Sequence, residues 1–185
     1  RDFGLRVFFG QKQAIASSTD PGGPALAELV ERVVSMAKAV PDDENCGLAD
    51  PAEILTSNVP DLDTADPDEP TTEVLAERAS ACEAAARGVL GITNSEGAEA
   101  SWSSSDISIA ASNGFSGAYR STGHGFGVAV LAGEGTSMER DYESTSATFA
   151  TDLDDPNYVG QTAGERAVAR LNPRKVETQQ VPVVF

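Results

Sequence analysis

Imidazole and thiol are nearly missing from this sequence: its 185 residues hold one histidine, His124, and two cysteines, Cys46 and Cys82. A catalytic zinc site takes three protein ligands from His, Cys, Asp and Glu. His124 is followed by Gly125 and Phe126, so HExxH-type spacing is excluded, and the cysteines form no Cys-x-x-Cys pair. Two cysteines are also too few for a disulfide framework and fit a reducing compartment. Basic residues are scarce. Lys and Arg total 13 against 29 Asp and Glu, a formal net charge of −16. A nucleic-acid surface needs Lys and Arg gathered on one face to displace phosphate counterions, so nucleic acid is not an expected partner. A basic partner, or solubility alone, explains the excess acid better. No stretch reaches the roughly 20 apolar residues that span a bilayer, and no charged-then-apolar opening reads as a signal peptide. The chain opens directly into an apolar alternation and stops in Val181-Pro-Val-Val-Phe185, so both ends read as cut from a longer protein.

Periodicity organises what is present. Leu5, Val7 and Phe9 alternate, a turn follows over residues 10–13, and Ala14 to Ser18 resumes an extended pattern, which predicts a hairpin. Pro24 suits a first helical position. Leu26, Leu29, Val30, Val33, Val34 and Ala37 then trace one apolar stripe of a helix of about four turns. Residues 41–73 carry eleven Asp or Glu, no Lys or Arg, and five of the ten prolines. Each proline removes a donor and restricts its predecessor, so the segment reads as an acidic connection with a short helical turn at 49–55. Thr71 or Thr72 caps a second helix with Leu75, Ala79, Cys82, Ala86 and Val89 on its buried face, ended by Gly88 or Gly91. Residues 92–150 switch to period two and predict an antiparallel meander of four or five strands, with turns at Asn113-Gly114 and Gly133–Gly135. Asp155-Pro156 opens a third helix with Val159, Ala163, Ala167 and Leu171 along one side. The fold class is therefore α+β rather than alternating βαβ. Four regions result: residues 1–40, part of a first α/β domain; 41–70, the acidic Pro-rich connection; 71–180, a second α+β domain; and 181–185, the start of a further domain.

Each candidate for chemistry has a plainer explanation. The run Asp61, Asp63, Asp66, Asp68 and Glu69 suggests calcium, but an EF-hand loop begun at Asp61 would have Ala65 at position 5, Asp66 at 6 and Thr72 at 12. A solvated linker is the better account. Ser121 or the Ser103–Ser105 run with His124 as base lacks the Gly-x-Ser-x-Gly elbow, and His124 reads as a strand or turn residue with an exposed or locally bonded ring. The glycines of Gly123-His-Gly-Phe-Gly127 do not match a dinucleotide fingerprint and point to a bulge or a close backbone approach. Trp102, Phe115, Tyr119 and Phe126 would stack single-stranded bases only beside basic residues that are missing here, so packing is their default role.

Several strings together resemble one family. They are Gly4-Leu-Arg-Val-Phe-Phe-Gly10, Ala16-Ser-Ser-Thr-Asp20, the helix of residues 25–39 and Cys46-Gly-Leu-Ala-Asp-Pro51. Thr93-Asn-Ser-Glu-Gly97, Ala111-Ser-Asn-Gly-Phe-Ser-Gly-Ala-Tyr-Arg-Ser121, Met138-Glu-Arg-Asp-Tyr142 and Pro182-Val-Val-Phe185 continue the series. In order and spacing they resemble the TldD/PmbA family, also called modulators of DNA gyrase, and the Ser-Asn-Gly-Phe and Glu-Arg-Asp-Tyr strings are more similar to its PmbA/TldE side. That resemblance implies a subunit of a cytoplasmic, two-subunit zinc metalloprotease acting on unfolded peptides, in peptide-antibiotic maturation and antitoxin degradation. It implies a TldD-like partner that supplies a zinc HExxxH motif, or self-association, and no catalytic, cofactor-binding or metal residue in this chain. A stand-alone protein-binding or scaffold module is the alternative, and a hydrolase built on His124 a distant third.

Overall fold

The computed structural model describes residues 1–55, 57 and 59–184. It has two compact units, residues 1–59 with 109–116, and residues 60–108 with 117–185.

In the first unit, β1 (Phe3–Phe9) pairs antiparallel with β2 (Lys12–Ser18) in the register Phe3↔Ser18 to Phe9↔Lys12. The tight turn between them is closed by Gly10, at φ 62°, a left-handed backbone that glycine adopts without a Cβ penalty. Helix α1 (Gly23–Ala39) starts with Pro24 in its first turn, and it packs on this hairpin through Leu29, Val33 and Ala37. The predicted hairpin is present, and so is the stripe except for Val30, which is 48% exposed. Among its described residues the acidic connection carries one 3-10 turn at Pro51–Glu53, capped by the Asp50 side chain on Ala52 N–H at 2.8 Å.

The second unit places two helices on one face of a three-stranded sheet. Helix α2 (Thr72–Arg87) is capped by Thr71, whose Oγ1 accepts from Val74 N–H, and it ends at Gly88. Helix α3 (Pro156–Ala169) is capped by Asp155, whose carboxylate accepts from Asn157 N–H at 2.8 Å. The sheet order is β3 (Ile92–Ala110), β4 (Ser116–Ala132), β5 (Glu139–Ala147). The core joins Cys82 and Ala86 of α2, Phe126, Val128, Val130 and Ala132 of β4, and Val159, Ala163 and Ala167 of α3. Beside it, two ion pairs tie α3 to β5, Arg166–Glu143 and Arg170–Asp141, both at 2.5 Å.

The α+β class holds, but the strand count differs from the expected four or five. Three strands form this sheet, because residues 92–110 and 116–132 each run without a break. The apolar alternation changes phase between Trp102 and Ile107, which reads as a strand end. In the structure the strand continues and only its better-buried face changes: Ile107 is partly buried on the side opposite Trp102. Val181 to Val184 are exposed and form no strand with a partner among the described residues, and Phe185 lies outside those residues.

Candidate functional site

Strand β4 carries Ser121, His124 and the glycine string. Its even-numbered residues Thr122, His124, Phe126, Val128, Val130 and Ala132 are buried toward the helices. Its odd-numbered neighbours Gly123, Gly125, Gly127, Ala129 and Leu131 occupy the other face. The pairing with β5 runs from His124↔Ala147 to Ala132↔Glu139. The pairing with β3 follows from its contacts. Arg120 meets Asp106 through two bonds of 2.8 and 3.1 Å, Thr93 Oγ1 donates to Gly133 O at 2.7 Å, and a Cβ on Gly123 would touch Ser103 Oγ at 3.4 Å. In this register Trp102 lies opposite His124 on the helix-facing side.

His124 is the site that the sequence raised, and its environment is unlike the exposed or locally bonded ring expected. Its side chain is 0% exposed. Nε2 lies 3.1 Å from Asp66 Oδ2, a residue 58 positions earlier whose side chain is only 8% exposed. The contact is at ion-pair distance but outside good hydrogen-bond alignment, and neither ring nitrogen has a hydrogen-bond partner among the described residues. Trp102 Nε1, across the strand pair, is also buried without a partner. Asp66 is well satisfied. Oδ2 accepts from Ala150 N–H at 2.8 Å and Oδ1 from Asp68 N–H at 2.9 Å. Those two backbone donors hold its carboxyl below the ordinary 3.8; burial opposes them, and the His124 ring adds a smaller downward pull.

An aspartate beside a histidine invites a catalytic reading, but this imidazole has no route to a substrate. A general base must come within about 3 Å of the proton it removes, directly or through one water, and a sealed ring cannot. Ser103, Ser105 and Ser121 lie on the opposite face of the sheet, and Ser104, on the His124 side, makes no hydrogen bond to the ring, so no serine–histidine pair forms. The hydrolase reading fails on that geometry.

The other candidates also resolve into structural parts. Asp61 and Asp66 turn their carboxylates onto the N–H groups of Asp63 and Asp68, and no group of three or more His, Cys, Asp or Glu among the described residues is placed to share a metal ion. Cys82 is fully enclosed, and burial pushes its thiol up to about 11, which makes it a core side chain rather than a nucleophile. Cys46 belongs to the first unit and is partly exposed. Trp102 and Phe126 face the helices while Tyr119 is 49% exposed on the other side, so the aromatics make no common platform. The glycine string is a close approach: a Cβ on Gly127 would meet Ser144 Cβ at 2.8 Å and Glu143 O at 2.9 Å.

Two features escaped the sequence reading. The sequence places Asp66 in a solvated linker, and no local signal links it to His124. The open face of the sheet carries a concavity of about 500 Å³, lined by Glu99, Gly127, Ala129, Arg140, Tyr142 and Ser144 among others. Its signal is present in the alternation of small and large residues over Gly123–Val130.

Comparison with known proteins places these parts. Residues 65–171 match the family model of the PmbA/TldA metallopeptidase central domain, and residues 1–37 that of the same family's domain 1. The chain belongs to the PmbA/TldD family. It is 34% identical over 183 residues to the metalloprotease PmbA of Escherichia coli, covering 98% of this chain and 40% of that protein. It is 31% identical over 187 residues to a metalloprotease PmbA homolog of Haemophilus influenzae, again covering 98% and 40%. The chain thus spans about two fifths of the length of the curated relatives it matches. A structure of a modulator of DNA gyrase from Bacteroides thetaiotaomicron superposes with a TM-score of 0.77 at 24% identity, covering 94% of this chain and 40% of that one. TldE from Thermococcus kodakarensis gives 0.58 at 16% identity, covering 88% and 36%. These two likenesses concern the fold. The zinc that a PmbA/TldD metallopeptidase implies does not fit the residues described here, since the one imidazole is buried against Asp66 and no three-ligand group is assembled.

Proposed function

We propose that this chain is a non-catalytic part of a PmbA/TldE-like subunit in a cytoplasmic zinc metalloprotease complex that acts on unfolded peptides. Family membership supports the protease-related role. The observation that carries the division of labour is the position of His124: the chain's only imidazole is walled off beside Asp66. Zinc and the hydrolytic step then belong to a TldD-like partner. The role left to this chain is to pair with that partner and help enclose the passage to the metal.

The test is co-expression of the complete polypeptide with a TldD-like subunit, followed by cleavage of an unfolded peptide and metal analysis of each purified component. The expected result is cleavage and stoichiometric zinc only where the TldD-like subunit is present. Peptide cleavage by the PmbA-like polypeptide alone, with zinc bound to it, would overturn the assignment.

A further inference from the structure

β5 leaves β4 at the pair His124↔Ala147, so the backbone of β4 from Arg120 to Thr122 has no β5 partner on that side. The end of the acidic connection fills the vacancy. Thr122 N–H donates to Thr64 O at 3.0 Å, and Thr64 Oγ1 donates to Arg120 O at 2.7 Å. Asp66 N–H donates to Thr122 Oγ1 at 2.8 Å, while that hydroxyl donates to Thr148 O at 3.1 Å. The Asp66 carboxylate then holds Ala150 N–H and lies against His124. Residues 64–68 are thus stitched to the sheet by polar contacts that converge on Asp66. Thr64, Ala65 and Asp66 are partly buried while Pro67 and Asp68 are exposed, and the one apolar side chain among the partly buried three is a single methyl, so polar contacts dominate the stitching. Segments held in this way open locally at far lower free energy than a core sheet does.

We propose that residues 64–68 form a releasable strap whose latch is the Asp66 side chain seated between His124 and the Ala150 backbone. The strap opens as a unit ahead of the sheet. Opening frees the Thr122 N–H and Arg120 C=O groups, a short backbone edge able to accept an extended segment. The acidic connection is then a conformational device: its last residues occupy in cis an edge that is free only when the latch lets go.

Hydrogen exchange read by mass spectrometry on the full chain tests this. In the wild type, the hydrogen-bonded amides of Asp66, Asp68 and Thr122 exchange by a local opening that is faster than exchange of Phe126–Ala132. Asp66→Ala raises exchange at Asp68, Thr122 and Ala150 by about tenfold, the scale of one or two lost hydrogen bonds, and leaves Phe126–Ala132 unchanged. Thr64→Val is the milder companion, removing only the bond to Arg120 O, and raises exchange at the strap while keeping Ala150 protected. The proposal is overturned if the strap exchanges at the rate of Phe126–Ala132, if it is already unprotected in the wild type, or if both variants loosen strap and core equally.

Discussion

Asp66 shows how one carboxylate ties distant segments together. Its two backbone donors, Ala150 N–H and Asp68 N–H, favour the charged form and hold the carboxyl below the ordinary 3.8. A group with a depressed folded value contributes stability that is fully present above its unfolded value and is lost as the pH falls through the folded one. The contribution of Asp66 is therefore constant at neutral pH and disappears only below about pH 4. Urea unfolding of the wild type and of Asp66→Asn across the pH range measures it. The expected result is a constant gap between the two midpoints from pH 7 to about 5, narrowing below about 4. A gap that has already closed by pH 5 would show that another group governs this junction.

At the scale of elements, the contact between α2 and α3 depends on the absence of side chains. A Cβ at Gly160 would meet Ala85 Cβ at 2.8 Å and Ala86 N at 2.9 Å, and one at Gly164 would meet Ala86 O at 3.0 Å. Gly160→Ala gains about 1 kcal/mol of helix propensity but forces two backbones apart, and such overpacking costs about 1–3 kcal/mol. The clash here is with backbone and a neighbouring Cβ rather than a flexible side chain, so net destabilisation is expected. Denaturant unfolding reads it as a lower midpoint with an unchanged slope, and a variant as stable as the wild type would mean the helices have room to part. Elements of this kind were legible in the sequence where the signal is local. The caps Thr71 and Asp155, the first-turn prolines and the stripe through Val33 each act within one helical turn, and all are present. The three-stranded sheet was legible in kind but not in count. Ser103–Asp106 and Ser121–Gly125 interrupt the apolar alternation, since Ser103–Asp106 is exposed on both faces and Thr122 and His124 are polar residues on the buried one, so two continuous strands read as pieces. The pairing of Asp66 with His124 was not legible at all, since nothing near either residue encodes a contact 58 positions away.

The whole molecule carries −16, and five of its 13 cations are engaged by its own carboxylates. Of the 13 Lys and Arg, Arg87, Arg120, Arg140, Arg166 and Arg170 each lie within 4.0 Å of a carboxylate of the same chain. Exposed pairs of this type add little stability, yet each one neutralises a charge that a phosphate would otherwise attract. Binding to duplex DNA requires several Lys or Arg to displace counterions together, and its strength falls steeply with salt. This surface would instead repel the polyanion over roughly a Debye length, about 10 Å at 0.1 M salt. The gyrase-related name borne by a structural relative thus carries no expectation of DNA contact for these residues. Fluorescence anisotropy with a labelled duplex of about 30 base pairs tests this at about 50 mM salt, where any phosphate-driven affinity is greatest. The expected outcome is no saturable rise at protein concentrations up to about 100 µM, the weak end of ordinary non-specific binding. A saturable rise that weakens as salt is added would reveal a basic surface assembled from the remaining cations, and the exclusion of nucleic acid drawn from charge would have to be withdrawn.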